Sequence, residues 1–529
     1  MLSSKRIDLE RILNEFGKQK DDNFDFERIS EYFKKKNNSS CFQVISEKVC
    51  NDLDFNELFK FIDRTNSRVG QQVLYNNLRR IPSKQNVISE NEEVVKELST
   101  NWSLRQDVQK LLIKLKDNES FYITSLFQDE HIKPPKWFFI AHLLSFTMIL
   151  SLLLLTFNSS LIFVITFVFI TNIVIHYWNK RNLYQYLYSI PRLLVLNAVA
   201  KSLNSINELK NINPNIESSI AIIDRIRNRT SFFKLELNLQ NDFAVILWSV
   251  FELLKIAFLL EPIMLFNAIN HLETRRKEIE DVYSYVGSID VLLSVASLRI
   301  GLDKYCIPRI LDNIKKVNAV NMYHPLINDC VENSVLINGK SVLLTGSNMS
   351  GKTSFIRAIG INTICALTIN TCFADIFEIQ KQRIYSAIRI SDDLLNSKSY
   401  YFEEVLTIKE MIDHSNENVP SLFLLDEIFK GTNTIERISA GKAVLSSLAK
   451  NNSTTFVSTH DIELAELLND EYELFHFSEI VDNSTVAFDY KLKNGKLKNR
   501  NAIRILQLND YPKEIIDEAM KIAKELDNI

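Results

Sequence analysis

The chain is short of the residues that interrupt helices, with only 11 glycines and 10 prolines in 529 positions. That scarcity leaves room for long helices over much of its length. Its six cysteines (Cys41, Cys50, Cys306, Cys330, Cys365 and Cys372) include no C-x-x-C pair and no His/Cys cluster at ligand spacing. This argues against a zinc site or a disulfide framework and suits ordinary buried thiols in a reducing compartment. Neither sign of charge is in excess: 62 Lys and Arg against 65 Asp and Glu give a formal net charge of −3. The whole molecule is therefore not a polycation built to coat nucleic acid or an anionic bilayer, and any such binding must be local. The opening stretch MLSSKRIDLERILNEFGKQKDD has no apolar core and reads as neither a signal peptide nor a presequence.

What is present is 46% hydrophobic and 24% charged, enough apolar material for two or three folded units. Asp, Glu, Lys and Arg are absent from Trp137–Phe157 and again from Leu161–Trp178. At 1.5 Å of rise per residue, about 20 helical residues match the roughly 30 Å of bilayer hydrocarbon, so spans are expected at 137–157 and 160–178. The intervening Asn-Ser-Ser (Asn158–Ser160) allows only a tight turn. The pair should form a hairpin that enters and leaves on one face. Lys133 and Lys136 before it, Lys180 and Arg181 after it, and the aromatic Trp137, Tyr177 and Trp178 at its base place both flanks, both termini and the C-terminal domain on the cytoplasmic side. The competing reading is a buried helical hairpin of a soluble domain.

A third apolar run, Phe243–Phe266, contains Glu252, Lys255 and Glu261. Charges in lipid cost several kcal/mol, about 2.5–3.5 kcal/mol each near a span's centre, so the run is read as a core helix, at most lying at the interface. Elsewhere up to about residue 320 apolar residues recur at three- and four-residue spacing. The reading is an N-terminal helical segment over 1–50 and an all-helical domain over 51–320 with the hairpin inserted.

After residue 320 short apolar runs alternate with turns and helices, as a parallel α/β sheet requires. In KSVLLTGSNMSGKTSFIRAIG a strand runs into Gly346, Ser347, Asn348, Met349, Ser350, Gly351, Lys352, Thr353 and Ser354, and then into a helix. Gly346 and Gly351–Lys352–Thr353 satisfy G-x-x-x-x-G-K-[ST] in the context that makes the pattern credible. Backbone N–H groups and the helix N-terminus would surround the phosphates of ATP, Lys352 would reach the β- and γ-phosphates, and the Thr353 hydroxyl would ligate Mg²⁺. Further on, the apolar strand Leu422–Leu425 ends in Asp426 and Glu427. One carboxylate belongs near Mg²⁺ and the next near the attacking water, as catalytic base. A third strand, Thr454–Thr459, leads into His460, whose imidazole is placed to bond the γ-phosphate or the water, although a lone histidine is more often structural.

In order, TGSNMSGKTSFIRAIG, ISDDLLNSKSYYFEEV, LLDEIFKGTNT and STHDIEL resemble the nucleotide-binding, signature, acidic-strand and histidine motifs of the MutS mismatch-repair ATPases. The segments Phe61–Pro82, Ser288–Leu298 and Asn321–Ile327 resemble the opening of that family's core-and-lever region, its return helix and the approach to its first ATPase strand. The resemblance implies a P-loop ATPase domain of the MutS type over 321–500 and a C-terminal helical dimerisation element over 501–529. It implies a homodimer with ATP between protomers, Ser399 completing the partner's site in trans. Ser347 and Ser350 stand where the family usually has Pro and Gly, and Tyr400 where it has Thr.

The family reads mispairs with an N-terminal wedge domain, and about 50 residues precede the core here, so the resemblance implies a protein without that domain, anchored by the hairpin where its relatives encircle double-stranded DNA. The expected function is ATP hydrolysis across a dimer interface coupled to binding of DNA, mismatched DNA included, or to its repair. An ATP-switched membrane scaffold or clamp acting on a protein partner is the alternative. A transporter motor is disfavoured by the small number of spans and by the absence of an L-S-G-G-Q-type signature before Asp426.

Overall fold

The computed structural model describes residues 15–37, 41–84, 86–182, 184–225, 245–312, 314–347, 349–389, 400–417, 419–450, 452–481, 486–497, 506 and 511–526. The chain divides into two compact units. One gathers Met1–Asn37, Asp63–Asn77 and Asn91–Gly301; the other gathers Asn38–Ile62, Leu78–Glu90 and Leu302–Ile529. The helical region expected over 51–320 is thus interleaved, with two of its early segments clustering with the sheet.

The first unit is helical, and its longest helix, Arg276–Ile300, is buried almost continuously from Tyr285 onward. A carboxylate inside this helix organises its neighbour. Asp290 is fully buried and accepts the backbone N–H groups of Asn66 at 2.9 Å and Ser67 at 2.8 Å, just before the helix Arg68–Arg79 begins. The helix's own cap is Ser67, whose hydroxyl accepts Gly70 N–H at 2.9 Å and in turn donates to Asp290, so the carboxylate holds the capping residue in place. Gly70 permits the approach, because a Cβ at this position would lie 2.1 Å from Asp290 Oδ2.

The apolar tract forms two helices, Phe139–Leu154 and Leu161–Asn182, joined by a turn in which Ser160 N–H donates to Asn158 Oδ1 at 3.0 Å. Over Lys136–Leu154 and Leu161–Lys180 they are long and apolar enough to cross a membrane. Only 22% and 17% of these stretches is buried, which is not how a core helix of a soluble domain packs. Phe146, Leu153, Phe163 and Phe167 stand on the outside. The hydroxyls of Thr147, Thr166 and Thr171 donate back to carbonyls one turn earlier, at 2.8, 2.8 and 2.9 Å. Each is satisfied without water. At the open end Trp137 packs edge-on against Trp178, with centroids 5.2 Å apart.

The third apolar run is two helices rather than the single one expected: Val245–Ala257 and Leu260–Glu273, with Leu259 between them at φ +47°. Pro262 accounts for the break. It lacks the N–H that would bond Phe258, and its ring clashes with that carbonyl in a continuous helix. The run's charges pair with one another, Lys255 Nζ lying 2.5 Å from Glu252 and 3.2 Å from Glu261, while Lys180 approaches Glu252 at 3.8 Å and Glu261 Oε1 is left without a hydrogen bond among the described residues.

The second unit is built on a six-stranded sheet. Its spatial order is Lys493–Asn494, Tyr472–His476, Ser341–Thr345, Thr454–Thr459, Ser421–Asp426 and Arg383–Ala387, parallel except for the first pair. The strands Ser341–Thr345 and Ser421–Asp426 are buried on both faces with apolar runs that do not alternate, as parallel strands covered on two sides should be, and Thr454–Thr459 between them is equally buried but rich in hydroxyls. Phe423 and Leu425 face the helices Tyr400–Ser415 and Thr434–Leu448, while Leu424 faces the helix Lys352–Ile369. Asp52 joins an early segment to the sheet: it accepts from the Ser386 hydroxyl at 2.6 Å and from Arg389 N–H at 2.9 Å, just past the edge strand. The same unit holds a four-stranded sheet, ordered Arg309–Leu311, Ile376–Gln380, Lys316–Met322 and Asn333–Asn338, and two two-stranded sheets, Cys41–Val44 with Arg80–Pro82 and Glu479–Val481 with Val486–Phe488.

Candidate nucleotide site

Register decides where the chemistry gathers. Thr345 pairs with Thr459, and Ser458 with Asp426, so three parallel strands end level with one another. Their carboxyl ends deliver Gly346, Asp426 with Glu427, and His460 to one edge, where ligands of open α/β sheets bind.

The turn after the first of these strands needs unusual backbone. Gly346 has φ +148°, and a Cβ there would sit 2.6 Å from the Phe477 carbonyl oxygen. Met349 takes φ +67° with its side chain 82% exposed, and Gly351 opens the helix at φ +110°. The loop closes on itself: the Ser350 hydroxyl donates to Ser347 O at 2.8 Å, and Ser347 Oγ donates to Glu479 at 2.8 Å. Lys352 is 4% exposed, and its ammonium donates to the carbonyls of Gly346 and Ser347, each at 2.8 Å. Burial pulls its pKa down, with Glu427 and Asp426 opposing.

Beyond the loop the Thr353 hydroxyl donates to Asp426 Oδ2 at 2.7 Å, and the Ser458 hydroxyl donates to the other carboxylate oxygen. Glu427 sits at φ +53°, its N–H held by Ser458 O at 3.0 Å. Its carboxylate lies 2.6 Å from His460 Nε2 and 3.0 Å from Lys430 Nζ. Partial burial raises the carboxyl pKa, but the bonds from His460 and Lys430 outweigh it and hold the group down at about 2, ionised. Next along, Arg437 forks onto Asp461 at 2.9 and 2.7 Å, fixing the chain that follows His460.

Of the residues expected at the site, Gly346, Ser347, Ser350, Gly351, Lys352, Thr353, Asp426, Glu427 and His460 surround this edge, and Met349 and Ser354 line the adjoining cavity. Asn348 and Ser399 lie outside the described residues. The cavity, about 430 Å³, has walls the motifs did not announce: Tyr323, His324, Ile327, Phe477 and Tyr490. Its size suits a small organic ligand, and its aromatic walls suit a flat base. The only signal in the sequence was the run Asn321–Ile327, legible by resemblance as an approach to the strand.

The residues fit a triphosphate with Mg²⁺. Gly346 leaves a cradle that a Cβ would fill, the helix N-terminus at Gly351 faces it, and Lys352 is held beside it by loop carbonyls. Thr353 Oγ1 and Asp426 Oδ2 form a paired hydroxyl and carboxylate of the kind that takes a hard cation.

Residues 342–527 match the family model described as MutS domain V. Over 221 residues the chain is 31% identical to the DNA mismatch repair protein MutS of Listeria monocytogenes serotype 4b, covering 41% of this chain and 25% of that protein. Over 274 residues it is 29% identical to the protein of the same name from Petrotoga mobilis, covering 50% and 33%. Over 270 residues it is 30% identical to the DNA mismatch repair protein MSH3 of Kluyveromyces lactis, covering 47% and 26%. The matched chain thus spans a quarter to a third of the length of these relatives.

Proposed function

We propose that this chain, whose residues 342–527 match MutS domain V, belongs to the MutS family and hydrolyses ATP at the edge formed by Lys352, Thr353, Asp426, Glu427 and His460. The observation that carries the reading is the contact of Thr353 with Asp426, with the Glu427–His460 pair immediately beyond it. The backbone after Gly346 and the Lys352 ammonium bind and orient the phosphates. Thr353 and Asp426 would hold Mg²⁺, which would supply neutralisation of the phosphate charge. Glu427 accepts the proton of the attacking water, and His460 keeps that carboxylate ionised and aimed. Tyr323, His324 and Tyr490 exclude water around the base.

Two copies close the site, with Ser399 contributed in trans, and the helices Lys136–Leu154 and Leu161–Lys180 anchor each copy in a membrane with the ATPase unit on the cytoplasmic side. Low burial of both helices and the Trp137–Trp178 pair at their base support the anchor. The relatives' shared name supports a coupling of the ATPase to double-stranded DNA, mismatch repair included. The test uses the detergent-solubilised protein with labelled duplex, with and without ATP. Salt-dependent binding that responds to ATP supports the DNA coupling. ATP turnover with no duplex binding at any salt concentration sinks that coupling and leaves a scaffold acting on a protein partner. Absence of turnover sinks the ATPase itself.

A further inference from the structure

Cys306 and Cys372 face each other across an isolated antiparallel bridge in the sheet-containing unit. The N–H of each donates to the carbonyl of the other at 2.9 Å. A reciprocal pair of this kind holds its Cα atoms about 5.5 Å apart, inside the roughly 4.4–6.8 Å that a disulfide spans. Directly opposed residues also project to the same side of the ladder. Neither cysteine is in a disulfide.

The surroundings fix this juxtaposition independently of any sulfur bond. Tyr323 N–H donates to Phe373 O at 3.0 Å, and the Tyr323 hydroxyl donates to Lys304 O at 2.7 Å, so one residue ties both strands of the bridge. Phe373 N–H is held in turn by Asn362 Oδ1 at 2.6 Å. Joining the sulfurs asks for side-chain rotation and for the two Cβ atoms to draw together by about 1 Å, since a hydrogen-bonded pair holds them about 5.5 Å apart and a disulfide needs about 3.5–4.5 Å.

We propose that Cys306 and Cys372 form a reversible, redox-sensing disulfide, made by thiol–disulfide exchange with a low-molecular-weight disulfide such as oxidised glutathione. The two thiols differ as the chemistry needs. Cys306 is half-buried and within reach of a small oxidant; Cys372 is fully buried and reachable only by its neighbour. The Cys372 thiol donates to the Asn362 carbonyl at 3.4 Å, and turning that proton toward Cys306 pulls the Cys306 pKa down against the effect of burial, which favours the thiolate. The Cys306 thiolate attacks one glutathione sulfur, forming a mixed disulfide and releasing one glutathione thiolate. Cys372, losing its proton, then attacks the Cys306 sulfur and releases the second glutathione. Two thiols are oxidised and one glutathione disulfide is reduced to two thiols. The product staples residue 306 to the chain leaving the helix Lys352–Ile369, three residues past its end. An internal disulfide of this kind in a reducing compartment serves as a transient sensor rather than a permanent strut.

The full-length protein in detergent is equilibrated with mixtures of reduced and oxidised glutathione, quenched in acid, alkylated in denaturant and weighed intact. Six alkylations are expected under reduction and four after oxidation, with Cys306 and Cys372 recovered as one cross-linked peptide. The half-buried Cys306→Ser should fold and lose no thiol on oxidation. Oxidation should raise the melting temperature of the unsubstituted protein, and this rise should vanish in Cys306→Ser. Six alkylations in every mixture would overturn the proposal. So would a cross-link through Cys330, which lies nearby with its sulfur 3.3 Å from His324 N, or a stable glutathione adduct on Cys306 with Cys372 still reduced.

Discussion

Thr353 Oγ1 and Asp426 Oδ2, 73 residues apart in sequence, meet at 2.7 Å because the strand ending in Asp426 and the helix beginning at Lys352 share one edge of the sheet. A hydroxyl and a carboxylate so placed form half of a hard-cation site. Asp426→Asn keeps the shape and removes the charge. It should weaken Mg²⁺ at least by the roughly 10- to 100-fold that loss of even an outer metal partner costs. Titrating turnover with Mg²⁺ at fixed ATP reads this directly; an unchanged Mg²⁺ dependence removes Asp426 from the metal.

Glu427 is one residue further on and does a different job. Its carboxylate is ionised and clamped between His460 and Lys430. Glu427→Gln should leave nucleotide affinity nearly intact while single-turnover hydrolysis falls by about 10²- to 10⁴-fold, the usual weight of a general base. Fluorescent-nucleotide binding together with a single-turnover assay separates the two effects. Turnover equal to the unsubstituted protein's would refute the assigned role.

The nucleotide loop, the acidic strand end and His460 were legible because each is a local pattern with a fixed relation to its own strand or helix. The strand register that brings them together needed only the rule that parallel strands present their carboxyl ends on one side. The aromatic cavity was not legible, since Tyr323, Phe477 and Tyr490 come from distant segments with no periodicity in common. Nor was the membership of Asn38–Ile62 in the sheet-containing unit: Asp52 makes that attachment through hydrogen bonds to Ser386 and Arg389, and a single buried aspartate in a helical stretch carries no mark of its partner. The break at Leu259 was written in the sequence as Pro262, and the apolar run around it masked the signal.

Gly346 offers a test of the cradle itself. Alanine at this position strains a backbone at φ +148° and pushes its Cβ to 2.6 Å from the Phe477 carbonyl. The loop must open or the neighbouring strand end must shift. Gly346→Ala should abolish measurable ATP binding while the protein still folds, with a stability loss of about 1–3 kcal/mol. Equilibrium nucleotide binding and urea unfolding, measured on the same sample, check both halves.

The hairpin makes its own prediction. Phe163 and Phe167 lie one turn apart on the outside of the second helix, 78% and 71% exposed. Replacing both with lysine puts two charges where the proposed anchor meets lipid; a charge at a span's centre costs about 2.5–3.5 kcal/mol, less at position 163, two residues after the helix start at Leu161. The unsubstituted chain should stay in the membrane pellet through an alkaline carbonate wash, and the double variant should be released in substantial part. Release of the unsubstituted chain by the same wash would remove the anchor.

His324 gives the sheet-containing unit a pH dependence of stated sign. It is 6% exposed, and burial drives its pKa down to about 4, with Arg357 adding to the effect and Asp54 opposing it. Its Nδ1 accepts the Leu326 N–H at 3.3 Å, a bond available only while that nitrogen carries no proton. The folded pKa lies below the unfolded value near 6.5, so between these two values the unfolded chain binds more protons and stability rises with pH. Nothing is lost above about pH 6.5, and the destabilisation grows as pH falls, reaching roughly 3 kcal/mol near pH 4. His324→Gln, which cannot titrate, should flatten this part of the profile when urea unfolding is followed from pH 7 to 4.5. Other groups titrate in the same range, so the decisive quantity is the difference between the two proteins: if it does not change with pH, His324 is not the buried neutral base described here.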